Sequence, residues 1–70
     1  MKLLFNCGTV QNFDRFQNCI AISDFYGEFD DTSLYASFEV ESQLDADVLE
    51  LELQKIINEN DINGYFEVED

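Results

Sequence analysis

Residues 45–58 read DADVLELELQKIIN, and the fold turns on whether they form a helix or a strand. The inner piece LELELQ alternates, so Leu49, Leu51 and Leu53 would share one face of a strand. Leu and Glu, however, are strong helix formers and poor or indifferent strand formers. At about 100° per residue, Ala46, Leu49, Leu53, Ile56 and Ile57 fall within one arc of a helix. Asp47 with Glu50 three residues on makes an acidic variant of the capping box. Acids in the first turn and Lys55 late in the segment suit the helix macrodipole. The spacing predicts a helix over 45–58.

Upstream of that helix, residues 34–41 alternate cleanly. Leu34, Ala36, Phe38 and Val40 face one way, and Tyr35, Ser37, Glu39 and Glu41 the other, as in a strand with one wet face. Downstream, Asn63-Gly64 supplies a turn into a last strand over 65–69, with Phe66 and Val68 inward and Glu67 and Glu69 outward. Residues 2–7 form a first strand, with Leu3 and Phe5 on one face. Val10, Phe13, Phe16, Gln17 and Ile20 have helical spacing, which predicts a short helix over 9–18 capped by Thr9. From Asn18 the pattern changes to alternation, with Ile20 and Ile22 opposed to Cys19, Ala21 and Ser23, and reads as a strand running toward Tyr26. GEFDDTS, residues 27–33, reads as a turn-rich connection. The order βαββαβ predicts an α+β fold of miniature ferredoxin-like type, an antiparallel sheet of about four strands with two helices on one face. If 9–18 is a loop, the architecture is still α+β.

The chain has 70 residues, which bounds it to a single domain over 1–70, near the lower limit for a self-sufficient core. Acidity of this degree suggests disorder only when apolar residues are scarce. Here hydrophobic residues make up 46%, with seven Phe, three Tyr and no proline. A folded domain with an acidic surface is expected, and so small a core invites a partner or a second copy. In MKLLFNCG the apolar run is too short for a signal peptide, and no stretch approaches a membrane span. A cytoplasmic protein is expected, with Cys7 and Cys19 reduced and partly buried.

Sixteen Asp and Glu stand against three Lys and Arg, a formal net charge of −13. Such a surface repels nucleic acid and anionic membranes and attracts basic proteins. Residues two apart on a strand lie about 6.6 Å from each other on one face. Glu39 with Glu41, and Glu67 with Glu69, therefore make two rows of anions on the open sheet face. Asp45, Asp47, Glu50 and Glu52 form a second patch around the helix. Duplex DNA is also a dense array of anions, one per roughly 1.7 Å of its axis. Ordinary surfaces mix both signs. Each like pair at about 7 Å in water costs roughly 0.6 kcal/mol, which a partner of opposite charge would offset. Tyr35 and Tyr65, also outward, offer stacking surface for arginine. The register between strands, which the sequence leaves open, decides whether Lys2 sits among these glutamates.

Leu44, Val48 and Leu51 form an apolar stripe opposite the core arc of the same helix. Either that helix is sandwiched, or the stripe docks on something, most simply a second copy. Scattered apolar residues on a surface without a role are the plainer alternative. In ENDINGYFEVED, residues 59–70, Asp61, Asn63 and Gly64 fall at positions 3, 5 and 6 of a calcium loop starting at Glu59. The match fails at positions 1 and 12, so a turn into a strand is the preferred reading. The chain has no histidine and no phosphate-binding glycine loop, and nothing converges on Asp30-Asp31. An enzyme is not expected, nor a cofactor, nor a zinc site from two cysteines alone.

A small, proline-free, folded domain of this acidity resembles the DNA-mimic proteins that bacteriophages make against host DNA-binding proteins. The resemblance is carried by length, by charge and by the runs FEVESQLDADVLELE, residues 38–52, and YFEVED, residues 65–70. Anti-restriction proteins, some anti-CRISPR proteins and inhibitors of the histone-like protein HU are of that type. In size and character the chain is most similar to the HU-inhibiting type known from a Bacillus phage. Mimics share a charge pattern rather than a motif, so no functional residue is carried over. The resemblance implies a host-takeover protein, a homodimer that occupies the basic DNA-binding groove of a host protein in the bacterial cytoplasm. The alternative is a general interaction subunit, an antitoxin or adaptor, acting through Leu44, Val48 and Leu51.

Overall fold

A computed structural model describes residues 1–70. Strand β1 (Lys2–Asn6) is followed by helix α1 (Val10–Ala21), strands β2 (Glu28–Asp30) and β3 (Tyr35–Glu39), helix α2 (Gln43–Glu59) and strand β4 (Tyr65–Glu69). The strands form one sheet in the order β2-β3-β1-β4. Every pairing is antiparallel. This is the βαββαβ fold expected from the sequence, with each helix crossing between strands that flank a third.

The core follows from alternation. Leu3 and Phe5 of β1 and Ala36 and Phe38 of β3 are buried beneath the helices. α1 contributes Phe13, Phe16 and Ile20, and α2 contributes Ala46, Leu53 and Ile57. Leu49 and Ile56 of the expected arc are partly buried at its margin. Phe5 lies at the centre, with ring centroids 4.5 Å from Phe16 and 4.8 Å from Phe66. Phe16 meets Phe38 edge-on at 6.2 Å, a favoured aromatic geometry.

Three expectations change. The strand expected from Asn18 toward Tyr26 is absent, because α1 runs on to Ala21. Phe13, Phe16 and Ile20 at spacings of three and four form one helical stripe, and the short alternation around Ile20 is incidental. Ile22, expected to share its face, is the C-cap and is 90% exposed. The strand falls instead inside GEFDDTS, where Phe29 points to the core and packs edge-on against Phe13 at 5.8 Å. Asp30 then closes the hairpin, its Oδ1 accepting from the backbone N–H groups of Thr32 and Ser33 at 2.9 and 3.0 Å. Leu34 sits in the left-handed region at φ 59, so β3 starts at Tyr35.

α2 begins at Gln43, two residues before the expected span of 45–58 and five before the start that an N-cap at Asp47 would set. Its N-cap is Ser42, whose hydroxyl accepts from Asp45 N at 3.2 Å, and Asp47 instead accepts from Gln43 Nε2 at 2.9 Å. At the far end Asp61 takes the left-handed conformation, and Ile62 N donates to Ile57 O at 2.8 Å. This is a Schellman-type stop, with Ile62 buried as its hydrophobic contact. Asp61 thus shapes a helix end, and no group of three carboxylates or thiols in the fold is placed to hold a metal ion. α1 is capped by Thr9, as expected, at 3.2 Å from Asn12 N. Cys7 is buried, Cys19 is half-buried, and both are free. Burial pushes the Cys7 thiol up to about 11.

Gly64 lets the chain enter β4 close against β1. A Cβ there would collide with the backbone oxygen of Asn6 and with the Phe5 ring. Gly8 has a positive φ of 80 but open space around it. Gly64→Ala should therefore lower unfolding free energy by about 2 kcal/mol, as overpacking does, against about 1 kcal/mol for Gly8→Ala. Urea denaturation followed by circular dichroism would measure both.

Candidate functional site: the open face of the sheet

The helices cover one side of the sheet, and the other is unpartnered. Because β1 and β3 bury alternate residues, Lys2, Leu4 and Asn6 of β1 and Tyr35, Ser37 and Glu39 of β3 are left on the open side. β2 adds Glu28 and Asp30, and β4 adds Tyr65, Glu67 and Glu69. The register arranges these in three rows across the strands. One row is Glu39–Lys2–Glu69. The next is Glu28–Ser37–Leu4–Glu67. The third is Asp30–Tyr35–Asn6–Tyr65.

The register answers the question of Lys2. It stands directly between Glu39 and Glu69, with its Nζ 3.9 Å from Glu39 Oε1. Both side chains are substantially exposed, so the pair contributes little beyond orientation. It partly neutralises that end of the face and leaves the rest alone. Arg15 and Lys55 lie on the helices and do not reach this side.

Of the expected rows, Glu67 and Glu69 stand together on β4 as foreseen. Glu39 and Glu41 do not form a row. β3 ends at Glu39, Val40 N turns back to Met1 O at 3.0 Å, and Glu41 lies in the connection to α2. The second row comes from β2, as Glu28 and Asp30, which sequence reading missed. A three-residue strand is too short for alternation to show, and its one signal was Phe29 set between two acids. Three strand spacings of about 4.8 Å put the two carboxylate rows roughly 14 Å apart. The Asp30 carboxylate also serves the hairpin turn, so only part of its capacity is free. A shallow hollow of about 310 Å³ opens beside it, lined by Glu28, Phe29, Asp31, Tyr35 and Ser37.

Asp45, Asp47, Glu50 and Glu52 do not join this face. They lie on α2, which covers the opposite side of the sheet, and Glu50 is half-buried at the edge of the core. The stripe of Leu44, Val48 and Leu51 also lies on α2, with exposures of 71, 53 and 67%. α2 is therefore not sandwiched within the chain, and its second apolar side faces solvent, with Lys55 one turn beyond Leu51. No helix is long and apolar enough to cross a membrane. Set against known protein families, curated proteins and solved structures, the chain finds no match in any of the three.

On the open face, like charges two residues apart stand about 6.6 Å from each other, inside the screening length of about 8 Å at 0.15 M salt. Added salt should therefore raise the melting temperature by several degrees between low salt and about 0.5 M sodium chloride. Lys2→Gln removes the one cation of the face and should steepen that dependence. Differential scanning fluorimetry of the two proteins across a salt series checks both expectations.

Proposed function

We propose that this chain is a non-enzymatic inhibitor that imitates DNA. Its carboxylates stand in for phosphates, and the basic DNA-binding surface of a host protein such as HU closes on them. The observation that carries this reading is the open sheet face. Glu28, Asp30, Glu39, Glu67 and Glu69 share it with a single ammonium, that of Lys2. An ordinary soluble surface intersperses both signs, whereas rows of one sign attract and orient a basic partner. The acids of α2 supply a second contact on the far side of a molecule only 18 Å through its shortest dimension, within reach of a partner that wraps around it. The setting consistent with this role is the cytoplasm of a phage-infected bacterium, with no direct contact to nucleic acid or membrane.

The exposed stripe supports self-association as part of the same reading. Leu44, Val48 and Leu51 from two copies would cover one another and form a homodimer that presents the sheet faces outward. The same stripe favours the second reading, a general interaction subunit such as an antitoxin or adaptor. Salt separates the two, since a carboxylate-driven complex weakens steeply with ionic strength and a stripe-driven one does not.

The test is competition in a gel shift with purified HU and a duplex. The protein should release DNA from HU without binding DNA itself, and a ternary complex would count against mimicry. Glu67→Lys with Glu69→Lys should abolish release at unchanged circular dichroism, whereas Glu41→Lys, off the sheet, should have a smaller effect. For self-association, Leu51→Asp should sediment as a folded monomer where the wild type sediments as a dimer. A wild type that is monomeric at high concentration removes the dimer from the proposal.

A further inference from the structure

The sheet has two edges, and the register fixes where the backbone groups along them point. In an antiparallel ladder the N–H and C=O of one residue point to the same neighbour, and those of the next residue point to the other side. Val40 N donates to Met1 O and Cys7 N to Leu34 O, so the odd-numbered residues of β1 turn their backbone groups to β3. Lys2, Leu4 and Asn6 therefore turn theirs to β4, where they pair with Glu69, Glu67 and Tyr65. That leaves the N–H and C=O of Phe66 and Val68 directed away from the sheet. No turn, loop or cap hydrogen bond of the backbone reaches them. Every β4 residue except Phe66 is exposed, so neither helix covers this edge. At the opposite edge β2 has three residues, and the same alternation turns only Phe29 outward.

We infer that the outer edge of β4 is a docking site for an extended segment of the basic partner, one in which cationic and apolar residues alternate and which joins the four-stranded sheet as a further strand. This edge site rests on the reading of the acidic face as the partner contact, and adds the conformation and sequence pattern of what that face takes. Phe66 and Val68 offer two N–H donors and two C=O acceptors to an incoming strand, and main-chain bonds of this kind supply affinity in strand addition. The side chains of the incoming strand continue the two faces of the sheet. Those beside Tyr65, Glu67 and Glu69 fall on the open side, where two carboxylates favour cations as cross-strand neighbours. Those beside Phe66 and Val68 fall on the helix side, where Val68 is 40% exposed and an apolar neighbour takes it out of water. Charge alone attracts a basic helix or coil equally well. Only an extended segment also closes the four backbone hydrogen bonds.

The test uses the full chain at low salt and a heptapeptide that alternates lysine and valine, blocked at both ends. Two further forms carry the same charge. One is N-methylated at the valines, whose N–H groups face β4 when the lysines lie on the open side. The other is N-methylated at the internal lysines, whose N–H groups face away. In calorimetric titration the lysine-methylated form should bind like the parent, and the valine-methylated form about tenfold more weakly, a difference of about 1.4 kcal/mol. Amide hydrogen exchange followed by NMR should slow about tenfold or more at Phe66 and Val68 on binding, and stay unchanged at Phe29. Val68→Pro removes an outward N–H and no bond to β1, so it should keep the circular dichroism spectrum and erase the difference between the two methylated forms. Equal affinities of the wild type for those two forms, or unchanged exchange at Phe66 and Val68 in the bound protein, would overturn the edge site and leave the acidic face standing. If no form of the peptide binds at low salt, the edge site and the wider reading fall together.

Discussion

The whole arrangement depends on the burial of Phe5. It lies on β1, which is paired on both sides, and its ring touches α1 through Phe16 and β4 through Phe66. A strand with one face buried has its register fixed, because a slip of one residue would turn every side chain over. Burying Leu3 and Phe5 therefore forces Lys2, Leu4 and Asn6 to the open side. The positions of Glu39, Glu69, Tyr35 and Tyr65 follow from their pairing to those residues. The chemistry of the outer face is thus set by packing on the inner one.

That division explains how so acidic a chain folds. No charged residue is fully buried, so no carboxylate carries the full desolvation cost of an interior charge. Repulsion is confined to the surface, where each pair costs only tenths of a kcal/mol. The aromatic core works against it, since each large side chain fully buried contributes about 1.5–3 kcal/mol. Phe5, Phe16, Phe38, Leu3 and Leu53 are all fully buried. Charge and core occupy separate layers, and neither interferes with the other.

Much of this was legible in the sequence. The arc of Ala46, Leu49, Leu53, Ile56 and Ile57 outweighed the alternation of LELELQ because propensity and periodicity agreed. β1, β3 and β4 showed their core-side residues by alternation, although Val68, opposite Leu3, is left 40% exposed. What was not legible had local causes. β2 is held by one aromatic side chain, Phe29, against α1, a tertiary contact with no periodic trace. The end of α1 was hidden because a helical residue, Ile20, also fitted a period of two. Glu41 appeared to continue β3, but the chain leaves the sheet at Val40 to reach the Ser42 cap. Register, and with it the place of Lys2, is a property of strands that meet from distant parts of the chain.

β4 stands at one border of the sheet, with its outer backbone groups unpaired. An open border of this kind is a template on which further chains can add, and the usual end of that process is a fibril. Its sequence, YFEVE, would otherwise suit such growth, being rich in aromatic and branched residues. Two copies approaching antiparallel and centred on Glu67 would bring their Glu67 carboxylates face to face, and like charges directly opposed are destabilising. The residues that would hold a basic partner therefore also act as guards against polymerisation. The guard acts through charge alone, so a β4 carrying glutamine in place of Glu67 would leave the border open to cross-β assembly.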